Sequence, residues 1–318
     1  MQGRFQQLTT RLFFGCSLLL LGFALQAAAT EHSPDVTKWQ TIQVPPEDSN
    51  SERVVWDYAA NYSQLSWRVY LDDRKPYAKL IEEPNENTSD QAPFDAKADK
   101  FRGASRFKEV DDGWLVGFNH GEFGAALYWF DRNGRHHYKI SDHQVVAFFS
   151  LPDGIYAIEG LVHLGISCGS VIRIMRPERA AHWQASRVVR LPYAPRTVAV
   201  RHDGALLIVL SASLVSVSLD RQVNTLISDA PWGGLYPASS ILLPDESRLF
   251  IGMRQFVGEV DLTTNRLRLL VPNTEFLNKL PDEQERRIRK QYPNGMGDSH
   301  QPVGICEEME KAAIRNVR

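Results

Sequence analysis

Between residues 105 and 276 the chain is a succession of short apolar runs broken by polar turns. Trp114–Phe118, Leu127–Phe130, Val171–Ile174, Leu206–Leu210 and Leu249–Ile251 are each three to five residues long. They are rich in β-branched and aromatic residues, and no long segment in this region has a 3.6-residue period, so strands are predicted. Gly204–Leu219 is apolar enough to suggest a membrane helix. Its second half alternates instead, with Val215 and Val217 facing one way and Ser216 and Ser218 the other. That is the period of a strand, and two strands joined at Ser211–Ser213 are expected. Upstream, Leu65–Leu71 alternates as cleanly, and Tyr77–Glu82 is its expected hairpin partner across Asp72–Pro76.

These runs repeat. Stretches beginning at Val110, Leu151, Arg201 and Leu243 each carry an Asp-type turn, an apolar strand, a loop, a second apolar strand and a polar turn. The anchoring aspartates, Asp112, Asp153, Asp203 and Asp245, lie 41, 50 and 42 residues apart. Asp-Gly suits a tight hairpin turn with positive φ, so Gly113, Gly154 and Gly204 are expected there. In the fourth repeat Glu246-Ser247 stands in place of the glycine. Antiparallel four-stranded units at this spacing are what a β-propeller requires, because one blade cannot bury both of its faces alone. The expected fold class is therefore all-β, a propeller of five or six blades, four of them clear. Residues 39–104 have room for one blade and part of another. Trp39–Val44 is expected to complete the last blade, since ring closure removes exposed edges.

The repeats resemble the broad class of propeller repeat proteins that includes the YVTN and NHL types, well over 105–276 and poorly over 39–104. No WD dipeptide, kelch double glycine or PQQ-type tryptophan motif narrows the subfamily. "GEFG", "HLGISCG", "LYP" and "GMRQF" also resemble a bacterial exported propeller family, which implies no particular activity.

The ends differ in character. Arg4 and Arg11 precede an apolar run, Leu12–Leu25, of about 14 residues, short of the ~20 of a spanning helix. Ala27-Ala28-Ala29 follows, which reads as a secretory signal peptide cleaved after Ala29. The expected organisation is residues 1–29 as signal peptide, 30–276 as propeller and 277–318 as a charged, short helical or irregular tail. In the tail, Pro281–Lys290 has the composition of a surface helix, with Glu283–Arg287 and Glu285–Arg289 at helpful spacing. A second short helix is expected within Val303–Arg318. The expected location is periplasmic or secreted, with no membrane span in the mature chain. With 36 Lys and Arg against 38 Asp and Glu, the net charge is −2. No charge excess or basic-aromatic surface points to nucleic acid. Cys168 and Cys306 remain after cleavage, and in an exported chain they are candidates for one disulfide.

Gly165-Ile166-Ser167-Cys168-Gly169 matches G-x-S-x-G. A nucleophile elbow needs a helix after the serine, whereas Ser170–Ile174 alternates as a strand. The glycines are read instead as bends in a long loop. If the strands of a blade run A to D outward, the Asp turns join A to B. The B–C loops and the links between blades then share the opposite face. In propellers that resemble this one, ligands sit on that face over the channel. His120, Glu122, His163 and Arg254 lie on B–C loops, and His143, Arg196 and Tyr236 on interblade links. Glu122 and Arg254 could also neutralise each other. There is no HExxH, paired CxxC, EF-hand loop, Walker A or GxGxxG after a strand, so neither a metal nor a cofactor is expected. The leading expectation is a binding or interaction module, a monomer that takes a small molecule or an exported protein partner. The alternative is a propeller hydrolase or lyase using His120, Glu122 and His163 as acid–base groups or metal ligands.

Overall fold

The computed structural model describes residues 33–81, 92–102, 106–163, 166–178 and 180–295. The expected signal peptide of residues 1–29, the expected helix within 303–318 and Cys306 lie outside the described residues. Four four-stranded antiparallel units follow one another in order. The first is β6 Arg106–Val110, β7 Gly113–Asn119, β8 Ala125–Asp131 and β9 His137–Ser141. The second is β10 Val145–Leu151, β11 Gly154–His163, β12 Ile166–Met175 and β13 Gln184–Leu191. The third is β14 Pro195–Val200, β15 Leu206–Leu210, β16 Leu214–Val217 and β17 Val223–Ile227. The fourth is β18 Ser239–Leu242, β19 Arg248–Gly252, β20 Val257–Asp261 and β21 Arg266–Val271. Before them stand β1 Gln40–Ile42, helix α1 Ser51–Asn61, the hairpin of β2 Ser66–Asp72 with β3 Lys75–Ile81, and a small hairpin of β4 Lys97–Ala98 with β5 Phe101–Arg102.

Burial shows how these sheets are arranged. Strand β15 is apolar at all five positions, and the two sides of the strand feed different clusters. Leu206, Ile208 and Leu210 pack with Phe149, Tyr156, Ile158 and Val171 of the preceding blade. Leu207 and Val209 pack with Leu249, Ile251, Val260 and Leu269 of the following one. Leu115 and Leu127 meet Ala157 and Ile172 in the same manner. On the other side of that blade, Phe118, Tyr128 and Phe130 receive Ala98 and Phe101 from β4–β5. Trp67, Val69 and Ala78 of β2–β3 meet Phe250, Val257 and Leu270. Five interblade clusters thus join five blades in a closed ring, a β-propeller whose innermost strands are β2, β6, β10, β14 and β18. The first blade is split, with β2–β3 against the last blade and β4–β5 against the second. Both faces of a blade are covered, so its second strand reads as a continuous apolar run rather than an alternating one.

Residues 39–104 hold one blade, not one and part of another, because residues 51–61 form a helix. In α1, Val54, Val55, Tyr58 and Ala59 pack on Leu280, Ile288 and Tyr292, the last two from or just after helix α2, Asp282–Gln291. Trp56 stacks on Phe256 at 5.4 Å between centroids. In α2 the Glu285–Arg289 pair forms at 2.8 Å. β1 joins the last sheet as a fifth strand, paired with β21 through Gln40↔Val271 and Ile42↔Leu269.

Two expectations about turns need correction. Gly154 and Gly204 have φ of 148° and 85°, but Gly113 is not in the positive-φ region. A Cβ at Gly113 would instead lie 2.0 Å from the Phe130 carbonyl oxygen. In the fourth repeat Glu246 itself adopts φ 56°, and its carboxylate is held by Arg201 at 2.9 Å. The long loop expected over Glu159–Ser170 is a hairpin of two ten-residue strands, β11 and β12. Gly160 and Gly169 face each other in its ladder, where Pro195 of the next blade closes in. A Cβ on Gly169 would stand 2.3 Å from Pro195 Cδ and 2.5 Å from the Glu159 carbonyl oxygen. Backbone and a rigid ring cannot yield as a flexible side chain would. We predict that Gly169→Ala lowers stability by roughly 1–3 kcal/mol, the usual cost of overpacking. An unchanged denaturant midpoint would refute this close approach.

Candidate functional site

The two ends of the ring are furnished differently. At the Asp turns, acids and bases are matched. Asp112 accepts hydrogen bonds from Trp129 Nε1 at 3.1 Å and Trp183 Nε1 at 3.2 Å, and pairs with Arg176. Asp153 accepts from the Tyr156 hydroxyl at 2.8 Å and lies 3.4 Å from Arg173. Asp203 and Asp245 fasten their own turns, accepting from Ala205 N at 2.9 Å and Ser247 N at 3.0 Å, whereas Asp112 ties its turn to residues beyond it.

The opposite end carries the candidate residues, in two groups. The first spans the second and third blades. His120 precedes a short 3-10 turn, Gly121–Phe123, that bears Glu122. The Gln144 amide donates to Asn119 Oδ1 at 2.8 Å and to the Gly121 carbonyl at 3.2 Å, which holds this loop against the next blade. Glu122 Oε2 lies 2.5 Å from His163 Nδ1, and both side chains are partly exposed. His120 turns away from this pair and sets its ring edge-on to Phe101 at 5.4 Å. Among the described residues, no group of three or more His, Cys, Asp or Glu side chains is placed to hold a metal ion.

The second group spans the last two blades. Arg196 and Arg254 both lie over the Tyr236 ring, with guanidinium carbons 5.5 and 4.7 Å from its centroid. Arg254 Nη1 donates to the carbonyl oxygen and the side-chain oxygen of Asn61, at 2.6 and 2.9 Å. The Arg254 backbone N–H donates to the Leu235 carbonyl at 2.7 Å, which ties the two loops together. Burial lowers the pKa of Arg196, and the nearby Tyr236 opposes that shift. Its Nε is buried and makes no hydrogen bond. Tyr236 is 41% exposed, with φ 50°.

The possible Glu122–Arg254 pair is not made, since each has another partner, His163 and Asn61. Three anchors escaped the sequence analysis. Asn61 ends a helix that was not expected. Gln255 is 1% exposed with φ 67°; its amide donates to the Phe276 carbonyl at 2.6 Å and its oxygen accepts from Asn278 N at 2.9 Å. Gln144 has no sequence signal beyond its place between blades. Ser167 is 2% exposed within β12. Its hydroxyl shares a 2.9 Å hydrogen bond with Ser211 and accepts another, also 2.9 Å, from Ala194 N. It is a fastener between neighbouring blades. Cys168, one residue on, is a free, half-buried thiol.

His143 lies between the second and third blades, with Nδ1 2.8 Å from Ser141 Oγ. Burial holds its imidazole below the ordinary value of 6.5; Glu159 and Asp142 oppose this and Arg187 adds to it. The unfolded chain therefore binds this proton more readily than the folded chain. Stability is retained above about pH 6.5 and falls as the pH drops below it. We predict that His143→Gln flattens this decline in melting temperature between about pH 7 and about pH 5. Parallel curves for the two proteins would refute the assignment.

No protein-family model and no curated protein sequence matches the chain. Among solved structures it is similar to a virginiamycin B lyase from Staphylococcus aureus, with 13% identity over 56% of this chain and 55% of that one and a TM-score of 0.35. It is also similar to a protein from Lactobacillus plantarum, with 12% identity over 70% and 68% and a TM-score of 0.39. A third is TolB from Acinetobacter baumannii, with 12% identity over 65% and 52% and a TM-score of 0.36. The matches span little more than half the length of the lyase and of TolB. The five-bladed reading rests on the chain's own sheets and interblade clusters.

Proposed function

We propose that this protein is an exported propeller that binds a small molecule or an exported partner at the ring end bearing its B–C loops. The observation that carries this reading is the Arg196–Tyr236–Arg254 group. It takes Arg196 from the start of β14 rather than from the interblade link where it was expected, Tyr236 from an interblade link and Arg254 from a B–C loop, and leaves the aromatic ring partly open to solvent. Multi-loop positions on a rigid scaffold are where recognition residues gather. Folds of this kind host both binders and enzymes, so the site must decide between them. To test the reading, a metabolite and periplasmic-protein screen is run on the wild-type chain, and hits are repeated with Tyr236→Ala and with Asp203→Ala on the other end. Loss of binding in Tyr236→Ala alone, with melting temperature retained, is the expected result. Equal loss in both variants would overturn it.

A second reading, a propeller hydrolase or lyase, is favoured by one observation, the 2.5 Å contact between Glu122 and His163. A carboxylate that orients an imidazole is a common acid–base arrangement. His120 stands apart from that pair, so the pair alone would carry the chemistry. Turnover found in the same screen and abolished by His163→Gln would decide for this reading.

Export is proposed from the charged start, the apolar run and Ala27-Ala28-Ala29. Among the described residues, no helix is long and apolar enough to cross a membrane. N-terminal sequencing of protein from the cell exterior or periplasm should give a chain starting at Thr30. A chain retaining Met1 would refute processing.

A further inference from the structure

We infer that the Arg196–Tyr236–Arg254 group receives an oxyanion, a carboxylate or phosphate carried by a small molecule that rests beside the Tyr236 ring. This rests on the reading that this end of the ring binds a ligand, and it adds the ligand's chemistry.

Charge matching elsewhere in the molecule makes this group stand out. Arg248 and Arg268 share the buried Glu259 at 2.9 and 2.6 Å. Arg201 has Glu246 at 2.9 Å, and Arg173 has Asp153 at 3.4 Å. Arg196 and Arg254 have no carboxylate partner among the described residues. Arg254 spends one nitrogen on the neutral oxygens of Asn61, and the rest of its fork is uncommitted. Among the described residues Arg196 has the aromatic ring as its one partner, and its Nε is shut from solvent without a hydrogen bond. Two cations beside one ring repel each other, and a part-buried unpaired charge opposes folding. An oxyanion bridging the two forks would relieve both penalties and supply the charge-assisted bonds that guanidinium groups form with carboxylate and phosphate.

The mounting is also unusually constrained. Tyr236 and Gln255, the neighbour of Arg254, both have positive φ, at 50° and 67°, a conformation that is costly for side-chain-bearing residues and collects at binding sites. Gln255 is locked by Phe276 and Asn278. A β-bridge joins Arg254 to Ser66 of the first blade. Both arginine positions are thereby fixed before any ligand arrives, which lowers the ordering cost of binding.

The test is calorimetry on the full chain with inorganic phosphate, succinate and, at matched ionic strength, chloride. We expect saturable one-to-one binding of phosphate or succinate with a rise in melting temperature, and no such effect from chloride. The two oxyanion arms separate a phosphate-bearing from a carboxylate-bearing ligand. Arg196→Gln should weaken binding at least tenfold. Arg196→Lys keeps the charge but loses the fork; it should weaken binding less, and it serves if the glutamine variant does not fold. No saturable binding, or binding by Arg196→Gln and Arg254→Gln as tight as by the wild-type chain, would overturn the inference. A neutral ligand whose binding is lost in Tyr236→Ala and unchanged in the arginine variants would also overturn it, yet leave the binding reading intact.

Discussion

Everything in this molecule depends on each blade being covered on both faces. A single four-stranded sheet can hide at most one face within itself, and burying the other requires a neighbour. Going round the ring, that requirement is met only when the last neighbour is the first blade. Trp67, fully buried, shows the closure most directly: its ring lies against Trp39 at 4.7 Å and Phe276 at 5.9 Å, and its indole nitrogen donates to the Gln255 carbonyl. Residues from both ends of the described chain thus meet at one blade boundary. Closing the ring also fixes the loops at its ends, because every B–C loop springs from strands clamped between two apolar clusters. The candidate residues inherit their positions from that packing.

The repeats were legible because a turn leaves a chemical signature and a two-faced strand leaves an apolar one. Asp112, Asp153, Asp203 and Asp245 marked four blades, and Leu206–Leu210 read as a strand, which the structure buries on both sides. The first blade was less legible because it is split, with β2–β3 and β4–β5 separated by a polar stretch that has no hydrophobic period. Helix α1 escaped because it is short and its start has no side-chain cap. It is held by contacts with Leu280, Ile288 and Phe256, all more than 190 residues away in sequence. Such contacts leave no local trace. The hairpin over Glu159–Ser170 was hidden for a related reason. Its glycines look like loop residues until Pro195 of the next blade is seen to require them.

Of the candidate site, the sequence could group residues on one end of the ring, because B–C loops and interblade links must share a face. It could not pair them. Pairing depends on which blades are adjacent at side-chain scale, and on partners such as Asn61 that come from outside the repeats. Hence Glu122 meets His163 on the neighbouring hairpin, while Arg254 joins Tyr236 and Arg196 two blades further on. The G-x-S-x-G match was correctly discounted, but the reason differs from the one expected. Ser167 is not on a loop at all. It sits in a ladder and fastens one blade to the next through Ser211 and Ala194.

The contrast between the two ends of the ring bears on what kind of site this is. At the Asp turns, charges are largely met within the fold: Asp203 and Asp245 accept from backbone N–H groups of their own turns, and Asp112 and Asp153 meet tryptophan, tyrosine and arginine side chains. At the opposite end, a carboxylate already orients an imidazole in one group, and in the other two guanidinium groups have no carboxylate partner among the described residues. A desolvated cation without counter-charge costs free energy. The two ends therefore differ in how far the described fold itself answers the charges it carries, and that difference is what sets the B–C end apart from the Asp turns.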